Sequence, residues 1–337
     1  MRILVTGGAG YIGSHTVIEL LGRGHHVAIV DNFANSSVIS IDRIRTISGS
    51  HARLYEMDMC DTDNLGRVVE TFAPDAVMHF AGLKAVGESI TNPLEYYRNN
   101  VGGTISLLAA MERGGVRKLI FSSSATVYGN PDSVPTNEKA PVGIGVQNPY
   151  GQTKFFGEQI ISDVSTADPL FEASILRYFN PIGAHASGLL GEDPLQRPNN
   201  LAPYILQVAS GKRPHVEVFG NDYSTRDGTG LRDYVHVSDL ARGHIAALEN
   251  SRPGFRSFNL GTGKGTTVLE LINAFSRAAG VVVPYVMKER RIGDVAMSIA
   301  DPTKARIELG WVAERDIFQG AIDGWNWQTK NPNGFGK

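Results

Sequence analysis

The sequence predicts an α/β protein with a doubly wound parallel sheet and a smaller C-terminal α/β unit. Short apolar runs alternate with longer segments of helical pattern, which is typical of repeated βαβ units. After Asn180 the chain becomes richer in Gly, Pro and Asn, and the alternation is less regular. We therefore expect a first domain over residues 1–180 and a second over 181–337, with segments near 235–250 returning to the first.

Six apolar runs are predicted to be strands of the parallel sheet, and each leads directly into small or polar residues. The strands are Ile3–Val5, Val27–Val30, Leu54–Met57, Ala76–His79, Leu119–Phe121 and Ala173–Leu176. The residues that follow them are Thr6-Gly7, Asp31-Asn32, Asp58, Phe80–Gly82, Ser122–Ser124 and Arg177–Asn180. Because the carboxyl ends of parallel strands share one edge, where ligands bind, we expect these polar ends to form one site.

Composition limits the classes of function. The 337 residues are 42% apolar and 20% charged, with a net charge of -2, which favours an ordinary soluble enzyme and argues against nucleic acid as a partner. The single cysteine, Cys60, allows neither an intrachain disulfide nor a cysteine zinc site, and we expect no bound metal. With no leader-like or membrane-length apolar run, a cytoplasmic protein without membrane contact is the expectation.

A glycine-spaced turn follows the first strand. Gly7, Gly10 and Gly13 have G-x-x-G-x-x-G spacing and precede a helical run, which is typical of a Rossmann-like dinucleotide site. Glycine lets the backbone approach a pyrophosphate, and the helix N-terminus offers free N–H groups. Asp31 ends the second strand, where its carboxylate would bind ribose hydroxyls and repel a 2′-phosphate, so NAD is favoured over NADP. Asp31 could instead be a residue that only ends the strand.

Tyr150 and Lys154 are candidate catalytic residues. Asn148-Pro149 predicts the start of their helix, and their i, i+4 spacing places them on one face. A nearby ammonium favours the phenolate, so Tyr150 is a plausible general base, although the Y-x-x-x-K pattern also arises by chance. Ser124 would meet them at the same sheet edge. With NAD alongside, this set predicts hydride transfer from a carbinol carbon.

Longer blocks throughout the chain carry a family resemblance. The sequence resembles the extended short-chain dehydrogenase/reductase family, and within it the UDP-hexose 4-epimerases. The matching blocks are Val5–Gly13, His79–Ser89, Pro93–Tyr97, Phe121–Gly129, Leu176–Pro181, Pro198–Leu201, Phe219–Asp222 and Asp227–His236.

The resemblance implies an NAD-dependent isomerase that interconverts UDP-galactose and UDP-glucose through a transient 4-keto sugar. Tyr150 would deprotonate the 4-hydroxyl, Lys154 would hold the nicotinamide ribose, and Ser124 would assist. The implied cofactor contacts are Gly7, Gly10, Tyr11, Ile12, Gly13, Asp31, Asn32, Asn35, Asp58, Phe80, Ala81, Lys84, Asn99, Ser122, Tyr150, Lys154 and Tyr178. It also implies a homodimer, formed through the helices that follow Pro93 and Tyr150.

For the UDP-sugar the resemblance implies a second set of contacts. They are Lys84, Ser124, Tyr150, Asn180, Asn200, Leu201, Phe219, Arg232, Arg291, Asp294 and Ser298. Arginine suits a diphosphate because its planar fork binds phosphate oxygens in pairs. Ser298 stands where some family members have a bulky tyrosine beside the hexose, so we hypothesise that N-acetylated UDP-hexoses, UDP-GlcNAc and UDP-GalNAc, are also accepted.

Three other functions are alternatives to this interpretation. A 4,6-dehydratase of the same family usually carries an Asp-Glu pair after the fifth strand, whereas this chain has Ser124-Ala-Thr126. A pentose-nucleotide 4-epimerase would use the same machinery and stays open. A silent NAD-sensing protein on this fold is disfavoured by the presence of Ser124, Tyr150 and Lys154 together.

Overall fold

The computed structural model describes residues 1–194, 198, 200–291 and 294–336. Its strands are β1 (Arg2–Thr6), β2 (His26–Asp31), β3 (Arg53–Glu56), β4 (Ala76–His79), β5 (Lys118–Ser124), β6 (Glu172–Tyr178), β7 (Asn180–Ile182), β8 (Val216–Phe219), β9 (Leu231–His236), β10 (Gly254–Leu260), β11 (Gly265–Thr267), β12 (Tyr285–Lys288) and β13 (Met297–Ser298).

The helices complete the element order. They are α1 (Tyr11–Gly22), α2 (Ile39–Ser48), α3 (Thr62–Phe72), α4 (Val86–Thr91), α5 (Pro93–Tyr96), α6 (Gly103–Arg113), α7 (Pro149–Ala167), α8 (Leu201–Ala209), α9 (Val237–Glu249), α10 (Val268–Ala279), α11 (Thr303–Leu309) and α12 (Ile317–Lys330). A π-helical segment, Tyr97–Gly102, joins α5 to α6, and a 3-10 turn, Ala125–Tyr128, follows β5. In the part of the chain that is described, no helix is long and apolar enough to cross a membrane.

The main sheet is parallel throughout and has seven strands in the order β10-β6-β5-β4-β1-β2-β3. The predicted fold class and all six predicted strands are therefore confirmed. Two strands run further than expected, since β5 and β6 stay paired as far as Ser124 opposite Tyr178. Polar side chains do not end a strand whose backbone can still pair with its neighbour.

Alternation along β1 distributes the core over both faces of this sheet. Ile3 and Val5 pack with α1, α2 and α9 on one face, whereas Leu4 packs with α3, α6 and α7 on the other. Strands that are buried on both faces read as continuous apolar runs, which is why the sequence reveals them. Each fully buried aliphatic side chain contributes about 1.5–3 kcal/mol of transfer free energy.

The smaller unit is built from the elements after β6. Strands β7, β9, β11 and β13 form one small sheet, β8 pairs with β12, and a separate core joins α8, α10 and α12. The chain then returns, because α9 packs with α1 in the core of the main sheet and β10 forms the edge of that sheet next to β6. The division of function between residues 1–180 and 181–337 stays a prediction.

Candidate active site

The glycine turn is tightly packed between β1 and α1. Gly7 has a φ of +69°, and a Cβ placed there would lie 2.5 Å from the main-chain nitrogen of Ala81. At Gly13 a Cβ would lie 2.3 Å from the Gly7 carbonyl oxygen. Gly10 caps α1, and a Cβ there would meet only the same carbonyl, at 3.3 Å. The glycine turn therefore presents no side chains in front of the Tyr11, Ile12 and Gly13 N–H groups, an arrangement that suits a phosphate.

Asp31 lies at the carboxyl end of β2 and is buried. One carboxylate oxygen accepts the Ala9 N–H at 3.0 Å, and the other accepts from Phe33 N at 3.0 Å and Ser36 Oγ at 2.8 Å. Asp31 therefore shapes the glycine turn itself. A carboxylate has about four lone-pair sites, so capacity is left to accept from a ribose hydroxyl.

The remaining predicted cofactor residues on this side lie around the same edge. Asn32 Nδ2 donates to Asp58 at 3.2 Å, which links the ends of β2 and β3. Asn35 is exposed, and Asn99 is half-buried in the π-helical segment. Phe80 lies at the end of β4, where its ring packs 4.5 Å from that of His244.

Lys154 is buried on α7, whose start agrees with the prediction. The Asn148 side chain accepts the Gly151 N–H at 2.8 Å, and Pro149 occupies the first turn. The Lys154 ammonium donates to the Ser122 carbonyl at 2.8 Å. Burial lowers the pKa of Lys154 to about 8, against the effect of Glu158, which favours the charged form.

Tyr150 lies beside Ser124, the last residue of β5. Burial raises the pKa of the Tyr150 phenol, and the nearby Ser124 side chain opposes that rise. The sequence suggested that the Lys154 ammonium lowers this pKa, but in the structure the ammonium is directed to the Ser122 carbonyl. The Ser124 hydroxyl accepts from Thr126 N at 3.2 Å and from Thr126 Oγ1 at 3.0 Å, which fixes its position.

Tyr178, at the end of β6, lies next to the same group of site residues at the sheet edge. Its phenol is hydrogen-bonded to His244, and burial raises its pKa well above the usual value, against the effect of the nearby Ser122 side chain. Burial lowers the pKa of His244 to about 4, so this imidazole is neutral at pH 7. Tyr178 is thus a neutral hydrogen-bonding group beside Ser122.

The Glu192 carboxylate links Lys84, a predicted cofactor and substrate residue, to Asn200, a predicted substrate residue. Glu192 Oε1 accepts from Lys84 Nζ and from Asn200 Nδ2, both at 2.7 Å. Tyr11 lies beside this group, with its ring centroid 5.9 Å from the Lys84 nitrogen. Residues 195–197 and 199 of this loop lie outside the described residues.

The predicted UDP-sugar residues of the smaller unit form a second cluster. Arg232 Nη2 contacts Asp294 at 2.6 Å, and Ser298 pairs with Arg232 across β13 and β9. The Arg291 guanidinium stacks 3.8 Å from the centroid of the Phe219 ring. Asn180 opens β7, and Leu201 opens α8 with Asn200 as its cap. Residues 292 and 293 lie outside the described residues.

Sequence reasoning overlooked several polar residues that hold this site together. Glu158 and Arg177 form a buried ion pair at 2.6 Å beneath Lys154. Asn100 fastens the Leu83 backbone to Thr153, at 2.8 and 2.9 Å. Glu158 lies four residues after Lys154, so helical spacing could have indicated it, whereas the partners of Asn100 follow only from the fold.

The described residues contain no group of three or more His, Cys, Asp or Glu side chains that could hold a metal ion. At this edge of the sheet a phenol, an ammonium and hydroxyl groups lie beside a dinucleotide-type turn. Such a set can move a proton and a hydride at one carbon that bears a hydroxyl group.

The chain is similar to known enzymes over its whole length. The model of the NAD dependent epimerase/dehydratase family matches residues 3–261. The chain is 52% identical over 337 residues to the UDP-glucose 4-epimerase of Bacillus subtilis, covering 99% of each protein.

Solved structures give the same result. A UDP-glucose 4-epimerase from Bifidobacterium longum in complex with NAD+ and UDP superimposes with a TM-score of 0.96 at 52% identity, covering 99% of this chain and 100% of that one. The UDP-glucose-4-epimerase of Stenotrophomonas maltophila, with bound NAD and formylated UDP-arabinopyranose, has a TM-score of 0.96 at 48% identity, covering 98% and 99%.

Proposed function

The chain belongs to the NAD dependent epimerase/dehydratase family, and we propose that it is a UDP-glucose 4-epimerase that interconverts UDP-galactose and UDP-glucose. The observation that carries the proposal is the meeting of Ser124, Tyr150 and Lys154 at one strand edge, in a chain similar from end to end to enzymes of that name. A dehydratase would need a further acid beside Ser124, where this chain has Ala125 and Thr126.

Tyr150 is the proposed base and later the acid. In its ionised form Tyr150 takes the proton of the sugar 4-hydroxyl, and the resulting phenol later gives that proton back to the same oxygen, with the Ser124 hydroxyl beside it. Lys154, fixed on the Ser122 carbonyl, is proposed to hold the nicotinamide ribose. NAD, when bound, supplies the carbon that takes up the hydride and gives it back.

The residues around the glycine turn fit the cofactor. The glycine turn and the N-terminus of α1 would hold the pyrophosphate, and Asp31 would accept hydrogen bonds from the hydroxyls of the adenosine ribose. Asn32, Asn35, Asp58, Phe80, Lys84, Asn99 and Tyr178 are proposed to complete the contacts. A tightly held cofactor suits the reaction, because the same hydride must return to the same substrate.

The smaller unit is proposed to bind the UDP-sugar. Arg232 and Arg291 would grip the diphosphate, and Phe219 offers an aromatic face to the uracil or sugar. Asn180, Asn200, Leu201, Asp294 and Ser298 are proposed to complete these contacts. Lys84 is proposed to contact both ligands, because its partner Glu192 also accepts from Asn200.

One experiment tests the proposal directly. The purified protein is denatured to release bound NAD, and the native protein is assayed for conversion of UDP-galactose to UDP-glucose without added cofactor. We expect released NAD and turnover in the cofactor-free assay. Protein that contains no NAD and shows no turnover, even with NAD supplied, would contradict the proposal.

We also propose activity on UDP-N-acetylglucosamine, because the small Ser298 side chain leaves room for a 2-acetamido group. Pentose nucleotides stay a candidate substrate class, since a relative with 48% identity binds a UDP-arabinopyranose derivative. Assays with UDP-GlcNAc and UDP-arabinopyranose at high enzyme concentration separate these cases. No turnover of UDP-GlcNAc would exclude the N-acetyl proposal.

A homodimer is proposed as the assembly. Neighbouring helices carry exposed apolar side chains: Ile90 on α4 is 61% exposed, Leu94 on α5 77%, Ile105 on α6 52% and Phe156 on α7 41%. A surface of this kind is typical of an interface. We propose the cytoplasm as its location, because the single Cys60 offers no disulfide that an oxidising compartment would favour.

A further inference from the structure

Glu158 is a buried carboxylate without a role in the mechanism above. It lies on α7 four residues after Lys154 and is 3% exposed. Oε1 accepts from Ser123 Oγ at 2.6 Å and from Arg177 Nε at 3.0 Å, and Oε2 accepts from Arg177 Nη2 at 2.6 Å. The charge is thus fully paired, and one bond reaches the strand next to the helix.

That bond completes a regular set of contacts between α7 and the end of β5. Tyr150, Lys154 and Glu158 follow one another at four-residue spacing along one face of the helix. Each contacts one of three consecutive serines, Ser122–Ser124. Tyr150 lies beside the third, the Lys154 ammonium donates to the carbonyl of the first, and Glu158 accepts from the hydroxyl of the middle one.

Arg177 fixes Glu158 from the neighbouring strand β6. Its Nη1 donates to Tyr128 Oη at 2.9 Å, and that phenol donates to Asn259 on β10 at 2.7 Å. The position of the carboxylate is therefore set by three strands rather than by α7 alone. Helix and strand end are held in one register by a rigid polar network.

Glu158 also acts on Lys154 through its charge. His79 on β4 also lies near the ammonium, and burial lowers the pKa of His79 to about 3, which leaves this imidazole neutral. Arg177 neutralises part of the field of the carboxylate from β6. Among these groups Glu158 is the one that favours the protonated lysine.

We propose that Glu158 is a positioning residue of the epimerase: through Ser123 it holds α7 on β5 so that Tyr150 stays beside Ser124, and its carboxylate lies one helical turn from Lys154 on the same face of α7. This inference rests on the proposed function. It gives the buried pair of Glu158 and Arg177 a role in the reaction rather than in stability alone, where a buried pair often contributes little.

Two variants and a control test the proposal. Glu158→Gln removes the charge, and Ser123→Ala removes only the contact between helix and strand. Asp163→Asn removes a carboxylate from the exposed side of the same helix and serves as the control. The assay measures kcat, KM for UDP-galactose and the pH dependence of kcat for each variant.

We expect Glu158→Gln to lower kcat about 10- to 100-fold with KM within about twofold, since the loss lies in orientation. On the alkaline side of the pH profile, its kcat should begin to decline at a lower pH than the kcat of the wild type. Ser123→Ala should lower kcat without changing the pH at which the alkaline decline begins. Asp163→Asn should change neither kcat nor that pH. If Glu158→Gln does not fold, full kcat in Ser123→Ala would overturn the positioning role.

A measurement that needs no turnover separates this inference from the proposed function. Lysine labelled with ¹³C at Cε reports the titration of Lys154 by NMR, with Lys154→Arg to assign the signal. Glu158→Gln should lower the pKa of Lys154. An unchanged titration together with wild-type kcat would overturn the inference, whereas a shifted titration in a protein without epimerase activity would overturn only the proposed function.

Discussion

Tyr150 is the residue on which the proposed chemistry depends most. Tyr150→Phe removes the group that moves the proton, and positioned acid–base groups contribute about 10²- to 10⁴-fold. We expect turnover to fall by at least this factor while NAD stays bound, because the ring still packs in the same place. Turnover of UDP-galactose and the NAD released on denaturation measure the two effects.

The control for this variant is Tyr285→Phe, because Tyr285 is 45% exposed on β12. It should keep full activity. Normal turnover in Tyr150→Phe would contradict the proposed role of Tyr150 as the base and acid.

The pKa of Lys154 predicts how the rate of the reaction depends on pH. Burial lowers the pKa of its ammonium to about 8, so the charged form is lost as the pH rises through that value. If the charge is needed in the reaction, kcat should decline above about pH 8. Rate profiles against pH for wild type and Lys154→Arg check this, since a guanidinium stays charged over this range. An alkaline decline at the same pH in Lys154→Arg would assign it to another group.

At the scale of one element, the turn between β1 and α1 accepts no side chain at its last glycine. In Gly13→Ala the new Cβ would lie 2.3 Å from the Gly7 carbonyl oxygen, so helix and turn must separate. We expect about 1–3 kcal/mol of lost stability and a reduced NAD content. Thermal unfolding and NAD content per chain are the measurements.

The same helix provides the control. A Cβ at Gly22 would meet nothing within 4 Å, so Gly22→Ala should keep NAD and gain about 0.5–1 kcal/mol of stability. Equal NAD content in both variants would show that the turn does not shape the cofactor site.

Elements with strong local signals were predictable from the sequence. The six buried strands appear as apolar runs, and Asn148-Pro149 marks the start of α7. The polar strand ends likewise indicated where the site would form. The return of the chain after β9 was less clear from the sequence, because α9 is capped by the His236 side chain, which accepts the Ser238 N–H, and histidine is not among the preferred N-cap residues.

The partners within the site were beyond the reach of the sequence. Nothing local shows that Glu192 joins Lys84 to Asn200, since these residues are separated by 108 and 8 positions. The sequence likewise favoured an ammonium that acts on the phenol, whereas the ammonium of Lys154 is held by a backbone carbonyl. Such contacts depend on tertiary packing, which residue spacing does not encode.

At the scale of the whole molecule, the exposed apolar side chains of α4 to α7 predict a dimer. Leu94→Glu places a charge on the most exposed of these positions, at 77% exposure. We expect dimer affinity to fall about 100-fold or more, as for a central interface residue. Sedimentation velocity at several protein concentrations measures this change.

Ile307→Glu is the control for the dimer, because Ile307 is 73% exposed on α11, outside the group of helices α4 to α7. It should leave the sedimentation coefficient unchanged. Identical behaviour of the two variants would place any interface elsewhere.

The position of β10 at the edge of the main sheet affects how the chain can be synthesised. The six strands beside it come from residues 2–178, whereas β10 itself is Gly254–Leu260. A ribosome that has released only the first 180 residues therefore presents a sheet with β6 as an open edge. The nascent chain must emerge past residue 260 before that edge is covered, so β7, α8, β8 and β9 of the smaller unit are made before the main sheet is complete.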